Sequence, residues 1–323
     1  MKVSVCMTVF NEEGDMGMIL KSLISQSRKP DEIVIVDGGS TDKTVEVIKS
    51  WKKKFGNLRV YVDKGSVAHG RNVSIEKARY GIIATTDAAC IAKRYWLEKL
   101  IEPFKYKKIE MVAGFYDMAA KNSMQKAMNT FHGVTVQDYH PTRYAASCRS
   151  VAFKKKLWRK LGGFREDLVK SGEDTYFFHD AVKKGVKIVR VKEARVVWKE
   201  TANLDFLPAV KKFYSYARGD AQTKIWWDPE KRFASHNIKI LFIFVRYFIG
   251  FSVLIFSFSN PLLLWVLMIG IILYILWIFR KVYLRTKDFK AGLWGIPIQF
   301  VTDFIVMAGF IKGLTLLLTN EKT

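Results

Sequence analysis

Three apolar segments near the end of the chain constrain its fold more than any other feature. Residues 262–279 carry no charge, residues 240–258 carry only Arg246, and residues 293–311 carry only Asp303. About 20 apolar residues are enough for a helix to cross a bilayer. A helix on the surface of a soluble protein needs a polar face to turn to water, and these segments lack one. The sequence therefore predicts a membrane region with two to three hydrophobic helices.

The third segment leaves two interpretations open. Asp303 lies inside it and Lys312 follows directly after it. Charges at these places are compatible with a full span, but they are also typical of a re-entrant or interfacial helix. We expect residues 237–323 to form the membrane region under either interpretation.

The distribution of basic residues predicts an orientation. Residues 280–290 read RKVYLRTKDFK, and basic loops of this kind stay on the cytoplasmic side. The first residues, MKVSVCMTVF, run directly into Asn11, Glu12 and Glu13, so the apolar run is too short for a signal peptide. We therefore expect a multi-pass protein of the cell membrane, with residues 1–236 forming a cytoplasmic domain.

The overall charge points to anionic partners. Lys and Arg number 53 against 30 Asp and Glu, which gives a formal net charge of +23. Phosphates, nucleic acid and acidic lipid are the usual partners of such a chain. No recognition-helix or RNP motif is present, so we expect no nucleic-acid partner. A diphosphate substrate and membrane lipid account for the charge. The three cysteines cannot build a disulfide framework and lack the spacing of a zinc site.

Residues 1–90 alternate between strand and helix patterns. Short apolar runs at residues 3–10, 32–36, 58–62 and 81–86 are separated by helical spacings at residues 14–27, 44–51 and 67–78. This order predicts an α/β fold with a mostly parallel twisted sheet and helices on both faces. Ligands of such sheets bind beyond the carboxyl ends of the strands. Asn11, Asp37 and Asp87 follow three of these strands, so we expect them to converge.

Asp37 also has a purely local explanation. It begins the sequence DGGSTD, in which Asp, Gly and Ser are favoured by turn geometry alone. The chain contains neither the glycine fingerprint of dinucleotide-binding folds nor a P-loop. The sequence therefore gives no support for a dinucleotide-binding site or a P-loop nucleotide site.

An ordered set of motifs resembles the family 2 glycosyltransferases. The segments are SVCMTVFNEE, IVIVDGGSTDKT, AHGRN, TTDAAC, GGFREDL and SGEDT, and their order and spacing match that family from about residue 2 to residue 200. The resemblance implies a GT-A fold, a nucleotide-diphospho-sugar donor, a divalent metal and inversion at the anomeric carbon. It assigns contacts with the donor to Thr8, Phe10, Glu12, Asp37 and Arg71.

The metal motif departs from the family pattern. Asp87 matches the first carboxylate of the family's D-x-D motif, but Ala89 stands where the second is expected. The resemblance thus implies that Asp87 alone holds Mg²⁺ or Mn²⁺, together with the diphosphate and water. Mg²⁺ is often bound through one or two carboxylates and substrate phosphates. We expect a weakened metal site.

The same resemblance assigns the acceptor side. In SGEDT it implies that Asp174 is the general base and that Glu173 orients the acceptor or the base. The alternative is that both carboxylates begin a helix, where they suit the helix dipole. Arg218, in FYSYARGDAQTKIWW, is our candidate for a contact with the leaving diphosphate, whose charge requires a cation. An interfacial basic residue beside the membrane is the alternative.

The sequence thus predicts an inverting glycosyltransferase that acts on a lipid-linked or glycan acceptor at the cytoplasmic membrane face. Two other functions remain open. One is a polyprenyl-phosphate sugar synthase, whose phosphate acceptor would need no base. The other is a membrane-tethered nucleotide-sugar binder without turnover, which Ala89 suggests.

Overall fold

The computed structural model describes residues 1–168, 171–203, 205–228 and 233–319. The chain divides into two compact units. The first, here the sheet unit, comprises Met1–Ala119 and Tyr139–Glu200, and the second, the helical unit, comprises Ala120–Asp138 and Thr201–Thr323. The helical unit thus includes residues 120–138 and 201–236 along with the three apolar segments. The assignment of residues 1–236 to a cytoplasmic domain remains a prediction.

The strands and the helices are each numbered in chain order. The strands are β1 (Val3–Val9), β2 (Glu32–Asp37), β3 (Leu58–Val62), β4 (Ile82–Thr85), β5 (Cys90–Ala92), β6 (Met111–Met118), β7 (Val151–Lys154), β8 (Ile188–Trp198), β9 (Trp227–Asp228) and β10 (Phe233–Ala234). The helices are α1 (Glu13–Ile24), α2 (Thr44–Ser50), α3 (Val67–Lys77), α4 (Trp96–Ile101), α5 (Ser123–His132), α6 (Lys155–Leu161), α7 (Glu173–Lys183), α8 (Phe206–Thr223), α9 (His236–Ser257), α10 (Leu262–Thr286) and α11 (Phe289–Thr319).

The sheet unit is built on one mixed sheet in the order β3-β2-β1-β4-β7-β6-β8-β5. Strands β3, β2, β1 and β4 are parallel neighbours, and β6 and β8 are also parallel. Strand β7 runs antiparallel to β4 and β6, and β5 runs antiparallel to β8. The predicted α/β class and the four amino-terminal strands are confirmed.

The central strands are apolar because helices cover both faces of the sheet. Strand β2 reads EIVIVD and is buried at every position. Such continuous burial is typical of parallel strands with helices on both sides. On one face, Ile75 of α3 and Phe177 of α7 pack with Phe153 of β7 in a single core. This packing holds α3 and α7 against the same face of the sheet, and both helices carry predicted site residues.

The helical unit contains the three predicted apolar segments as helices. By length and composition alone, α9, α10 and α11 could each cross a membrane. Asn260 and Pro261 separate α9 from α10, as expected for a hairpin. The predicted basic loop at residues 280–290 is different in the structure, because α10 continues to Thr286 and includes Arg280, Lys281 and Arg285. Basic residues at the carboxyl end of a helix interact favourably with its dipole.

Candidate active site

Three predicted residues, Thr8, Asp37 and Asp87, lie at nearly the same level at the carboxyl edge of the parallel strands. Val9 of β1 is paired with Asp37 of β2, and Cys6 is paired with Thr85 of β4. Asp87 follows shortly after Thr85 and is therefore level with Thr8. Strand β1 lies between β2 and β4. The backbones at Asp37 and Asp87 are therefore separated by two strand spacings, about 10 Å. Asp37 and Asp87 thus lie on either side of the end of β1.

Hydrogen bonds between two loops shape one side of this edge. Asn11, which has a φ of 52°, donates its N–H to Ser40 Oγ (2.8 Å) and accepts from Thr41 N–H at Oδ1 (2.9 Å). Asparagine tolerates this left-handed conformation better than most residues. Glu12 N–H donates to Thr44 Oγ1 (2.7 Å), so the loop after β1 is tied to the loop after β2. Phe10, at the tip of the first loop, is 58% exposed.

Asp37 organises its own loop. The carboxylate is fully buried, with Oδ1 accepting from the N–H groups of Gly39 (3.0 Å) and Ser40 (2.8 Å) and Oδ2 accepting from Ser40 Oγ (2.5 Å). Gly39 has a φ of 98°, a conformation that glycine adopts without strain. These bonds match the local turn interpretation. The role of Asp37 in holding the base or ribose remains a prediction.

Helix α3 approaches the end of β1 at Gly70. A Cβ atom on Gly70 would lie 2.3 Å from Thr8 Oγ1 and 3.0 Å from Thr8 Cβ. The absent side chain therefore lets the first turn of α3 sit directly against the strand. Ser66 accepts a hydrogen bond from His69 N–H (3.2 Å), and this bond caps the first turn. Arg71, the next residue after Gly70, is thereby fixed near the carboxyl edge of the sheet.

Arg71 holds two carboxylates together. Its Nη2 donates to Asp87 Oδ1 at 2.9 Å, and its Nη1 donates to Glu173 Oε1. Only 8% of the Arg71 side chain and 10% of the Glu173 side chain are exposed, compared with 28% of Asp87. Charge-assisted hydrogen bonds in such sheltered places are stronger than neutral ones. The structure thus brings together three of the predicted residues, one from each of α3, the loop after β4, and α7.

Helix α7 begins at the SGEDT motif. Gly172 precedes the helix with a φ of 96°, and Glu173 and Asp174 occupy the first turn, where carboxylates favour the helix dipole. Burial raises the pKa of Glu173, with the nearby charge of Asp174 contributing in the same direction and Arg71 opposing it. Asp174 is only partly buried, and its Oδ2 accepts a long hydrogen bond from Cys148 N–H at 3.5 Å. Both interpretations of this motif are therefore compatible with the structure.

Two neighbouring residues organise the site without having been assigned a role from the sequence. Asn72 Oδ1 accepts from Phe164 N–H (2.8 Å), and its Nδ2 donates to Phe164 O (2.8 Å). His69 places one ring nitrogen 3.0 Å from Asp63 and the other 3.0 Å from Glu166, and these two carboxylates raise its pKa. Both residues tie the beginning of α3 to the GGFRED segment, which precedes SGEDT. The partners of Asn72 and His69 lie up to 97 residues away in the chain. In the sequence, only the position of the two residues beside Arg71 in AHGRN could have indicated that they belong to the site.

Arg218, the remaining predicted site residue, lies on α8 in the helical unit. It is partly buried, and its backbone carbonyl lies against Gly313 of α11. Its role as a diphosphate contact remains a prediction.

The carboxylates do not form a metal site by themselves. Within the described ranges, no group of three or more His, Cys, Asp or Glu side chains could hold a metal ion. Asp87 Oδ1 is occupied by Arg71. Its Oδ2 makes no hydrogen bond to any described residue, and the side chain is partly exposed. The protein can therefore offer one carboxylate oxygen to a cation at this position.

Comparison with known proteins places these features in a family. Residues 4–181 match the sequence profile described as Glycosyl transferase family 2, and residues 110–279 match Glycosyl transferase family group 2. Glycosyltransferase AglE of Haloferax volcanii is 25% identical over 193 residues, which are 58% of this chain and 63% of that protein. The chain thus spans less than two thirds of the length of this relative.

Two further proteins are similar over different extents. The dolichyl N-acetyl-alpha-D-glucosaminyl phosphate 3-beta-D-2,3-diacetamido-2,3-dideoxy-beta-D-glucuronosyltransferase of Methanococcus voltae is 31% identical over 108 residues, 32% of this chain and 34% of that protein. The solved mannosyltransferase PcManGT from Pyrobaculum calidifontis, in complex with GDP-Man and Mn²⁺, aligns with 97% of this chain and 87% of its own at a TM-score of 0.67 and 18% identity. The structural likeness shows that the fold is shared.

Proposed function

The chain belongs to glycosyl transferase family 2, and from that premise we propose that it is an inverting glycosyltransferase. It transfers a sugar from a nucleotide-diphospho-sugar to an acceptor hydroxyl held near the membrane. The observation that carries the proposal is the Arg71 cluster. One buried guanidinium joins Asp87, in the loop after β4, to Glu173, at the beginning of α7. The donor and acceptor sides assigned by sequence are thus joined through a single side chain.

The donor binds at the carboxyl end of β1, between the loops that follow β2 and β4. The ordered loops at Asn11 and Asp37 form one wall, and the ring of Phe10 is exposed beside them. An exposed aromatic ring offers a surface on which a base can stack. From there a diphosphate reaches Asp87 across about two strand spacings. A donor with a diphosphate is long enough to bridge that distance.

The reaction is a direct displacement at the anomeric carbon. The acceptor oxygen forms a bond to that carbon while the bond to the diphosphate oxygen breaks, and the nucleoside diphosphate leaves. A carboxylate takes the proton of the acceptor hydroxyl as the new bond forms. We assign this role to Asp174, because it is more exposed than Glu173 and its carboxylate is not paired with Arg71. Glu173 and Arg71 then hold the beginning of α7 in place.

A divalent metal fits this site only in partnership with the substrate. Asp87 would hold the ion through its second oxygen, and phosphate oxygens and water would supply the remaining ligands. When bound, Mg²⁺ or Mn²⁺ would neutralise the charge that develops on the leaving diphosphate. The complex of PcManGT with GDP-Man and Mn²⁺ supports a metal on the shared fold. The single carboxylate implies that metal and nucleotide bind together.

Two observations support a lipid-linked acceptor over a free glycan. Among the described residues, three helices are apolar enough to cross a membrane. The similar transferase of Methanococcus voltae acts, by its name, on a dolichyl sugar phosphate. An acceptor carried on a lipid would be concentrated where these helices place the enzyme. The basic residues 280–290 favour the cytoplasmic face.

The experiment is a release assay with detergent-solubilised full-length protein. UDP- and GDP-sugars are supplied with Mn²⁺ and with lipid extract as the source of acceptor, and free UDP or GDP is measured. We expect one donor to be turned over, with Asp174→Asn reducing turnover by about 10²–10⁴-fold while donor binding is retained. The matched control is Asp180→Asn on the same helix, where the carboxylate pairs with Lys184.

Three outcomes distinguish the remaining functions. Loss of transfer in Asp174→Asn alone supports the proposal. Unchanged transfer in Asp174→Asn would indicate a phosphate acceptor that needs no base, as in a polyprenyl-phosphate sugar synthase. Donor binding without turnover of any donor, with Mg²⁺ or Mn²⁺, would identify a nucleotide-sugar binder and contradict the proposal.

A further inference from the structure

Helix α11 contacts the α9–α10 hairpin about halfway along both of its helices. Asp303 Oδ2 accepts hydrogen bonds from Tyr247 of α9 (3.1 Å) and Tyr274 of α10 (2.8 Å). The two tyrosines are equally distant along the chain from the turn at Asn260 and Pro261. That distance corresponds to roughly 20 Å along each helix. The tyrosines therefore lie at the same height on the hairpin.

The contacts towards the two ends of α11 lie nearer to the base of the hairpin. Phe310 packs with Ile240 and Phe244 in the first turns of α9. At the opposite end of α11, a Cβ on Gly292 or Gly295 would collide with Phe279 or Val282 of α10. Thus α11 begins beside the end of α10, reaches Asp303, and returns to the beginning of α9. A third span running alongside the hairpin would instead progress from its base toward its turn.

Helix α8 covers a neighbouring face of α11. A Cβ on Gly309 would lie 2.4 Å from Tyr214 O, and one on Gly313 would lie 2.4 Å from Arg218 O. The backbones of α8 and α11 are therefore in direct contact, as small residues four apart allow. Nearer the beginning of α11, Ala291 and Ile298 share a core with Ala209 of α8 and with residues of α5. Helix α8 therefore packs against α11 over most of the length of α8.

Helix α8 is too polar to accompany a membrane span. Its 18 residues include Lys211, Lys212, Arg218 and Asp220, and Lys211 is exposed. Charged Lys, Arg and Asp side chains are strongly disfavoured at the centre of a bilayer. If α11 crossed the membrane, it would draw these charges into the hydrocarbon. Backbone contact at Gly309 and Gly313 prevents the two helices from separating without loss of that packing.

Exposed apolar residues form a stripe along α11. Leu293, Phe304, Ile311 and Leu318 are exposed, and at about 100° per residue they lie within about 40° of one another. Trp294, in the second turn of the helix, is exposed to one side of this stripe. One apolar stripe opposite a face covered by polar helices is typical of an interfacial helix, and aromatic residues are common at that level of a membrane.

Helix α10 has a different surface. It exposes consecutive apolar residues, Leu264 to Val266 and Ile271 to Leu273, and so presents apolar side chains all round. A helix of that kind is suited to the hydrocarbon core, where no polar face is needed.

From these contacts we infer that α11 lies in the plane of the bilayer surface and does not cross it. Its stripe inserts among lipid acyl chains, as the exposed apolar residues of the hairpin do, and α8 faces the water. The hairpin of α9 and α10 is then the part that enters the hydrocarbon core. Both ends of α11 stay on the side from which α9 departs.

The depth of the stripe tests this inference directly. Spin labels are placed through Leu293→Cys, Phe304→Cys, Ile311→Cys and Leu318→Cys in full-length protein, reconstituted in vesicles of phosphatidylcholine and phosphatidylglycerol. Depth is read from the relative accessibility to oxygen and to a nickel chelate. We expect the four depths to agree within about 5 Å, the scale of interfacial burial. The native cysteines are all buried, so labelling of the unsubstituted protein serves as the background.

A crossing helix would give a different profile. Depth would change by about 10 Å for every seven residues, and such a gradient along α11 would overturn the inference. Leu264→Cys and Ile271→Cys on α10, also seven residues apart, provide the matched control and should show that difference.

Sidedness gives an independent test. Thr319→Cys and Lys224→Cys are labelled with a membrane-impermeant maleimide in sealed vesicles of one orientation. The inference requires both cysteines to react from the same side. Reaction of Thr319→Cys from the side opposite to Lys224→Cys would show that α11 crosses.

Discussion

Arg71 and Glu173 lie 102 residues apart in the chain, yet the guanidinium donates a hydrogen bond to the carboxylate in a nearly buried site. Because Arg71 also donates to Asp87, this single side chain links the beginnings of two helices to the edge of the sheet. Loss of the guanidinium would leave the buried carboxylate of Glu173 without its counter-charge. It would also leave the carboxylate of Asp87 unpaired with only partial access to water.

We therefore expect Arg71→Gln to lower the free energy of unfolding by about 3–5 kcal/mol, the usual result of removing one partner from a buried ion pair. The measurement is denaturant unfolding of the detergent-solubilised protein. Arg165→Gln is the control, because Arg165 pairs with an exposed carboxylate, Asp167. Exposed pairs contribute about 0–1 kcal/mol. Equal effects of the two substitutions would show that the Arg71 cluster does not stabilise the fold.

Metal binding should depend on Asp87 and improve when a second carboxylate is added. Ala89→Asp supplies a charged ligand where the family pattern has one, so we expect Mn²⁺ to bind about tenfold more tightly, or about 1.4 kcal/mol. Asp87→Ala should lose nearly all metal-coupled nucleotide binding. Calorimetric titration of Mn²⁺ with UDP or GDP present measures both effects, with Asp180→Ala as the control. If Asp87→Ala binds like the parent protein, the diphosphate does not lie at Asp87.

The stability of the protein should fall as the pH rises through the titration of His69. Both ring nitrogens face carboxylates, so the protonated ring is the form that satisfies both. Hydrogen bonds to Asp63 and then to Glu166 raise the pKa of His69 above its usual 6.5. The added stability is thus complete below the unfolded pKa, about pH 6.5, and is lost as the pH rises through the raised pKa.

The change should be about 0.5–1 kcal/mol, because solvent screens ion pairs of this exposure. Both carboxylates are indeed partly exposed. Unfolding at about pH 5.5 and about pH 9, on either side of the titration, is compared for the parent, His69→Gln and the control His140→Gln. His69→Gln should lose this part of the pH dependence and His140→Gln should keep it. An identical pH dependence in all three proteins would contradict the assignment to His69.

Gly70 should tolerate no side chain. In Gly70→Ala the new methyl group would meet Thr8 Oγ1 at 2.3 Å, so we expect a loss of about 1–3 kcal/mol from overpacking. Gly17→Ala on α1 is the matched control, because its nearest neighbour is Trp51 Nε1 at 3.8 Å. That substitution should stabilise the protein by about 0.5–1 kcal/mol through helix propensity. A stabilising Gly70→Ala, measured by the same unfolding assay, would place α3 farther from β1.

The sequence by itself determined the local structure and the family. Period-two and continuous apolar runs specify strands such as β1 and β2, since burial on the faces of a sheet depends on residues close together in the chain. The order of strands and helices then restricts the sheet to an α/β class. The three apolar segments follow equally directly from composition, because length and a very low content of charged residues are local properties.

Only the tertiary structure decided which residues meet. No local pattern links Arg71 to Glu173, or His69 to Glu166, because packing of α3 and α7 on the sheet sets those distances. The same holds for α11. Its composition permits a span, but α8 and the hairpin cover neighbouring faces of this helix and leave an apolar stripe exposed. Mean hydropathy depends only on which residues a helix contains. Whether the helix crosses a membrane or lies on its surface also depends on which of its faces are covered by other helices.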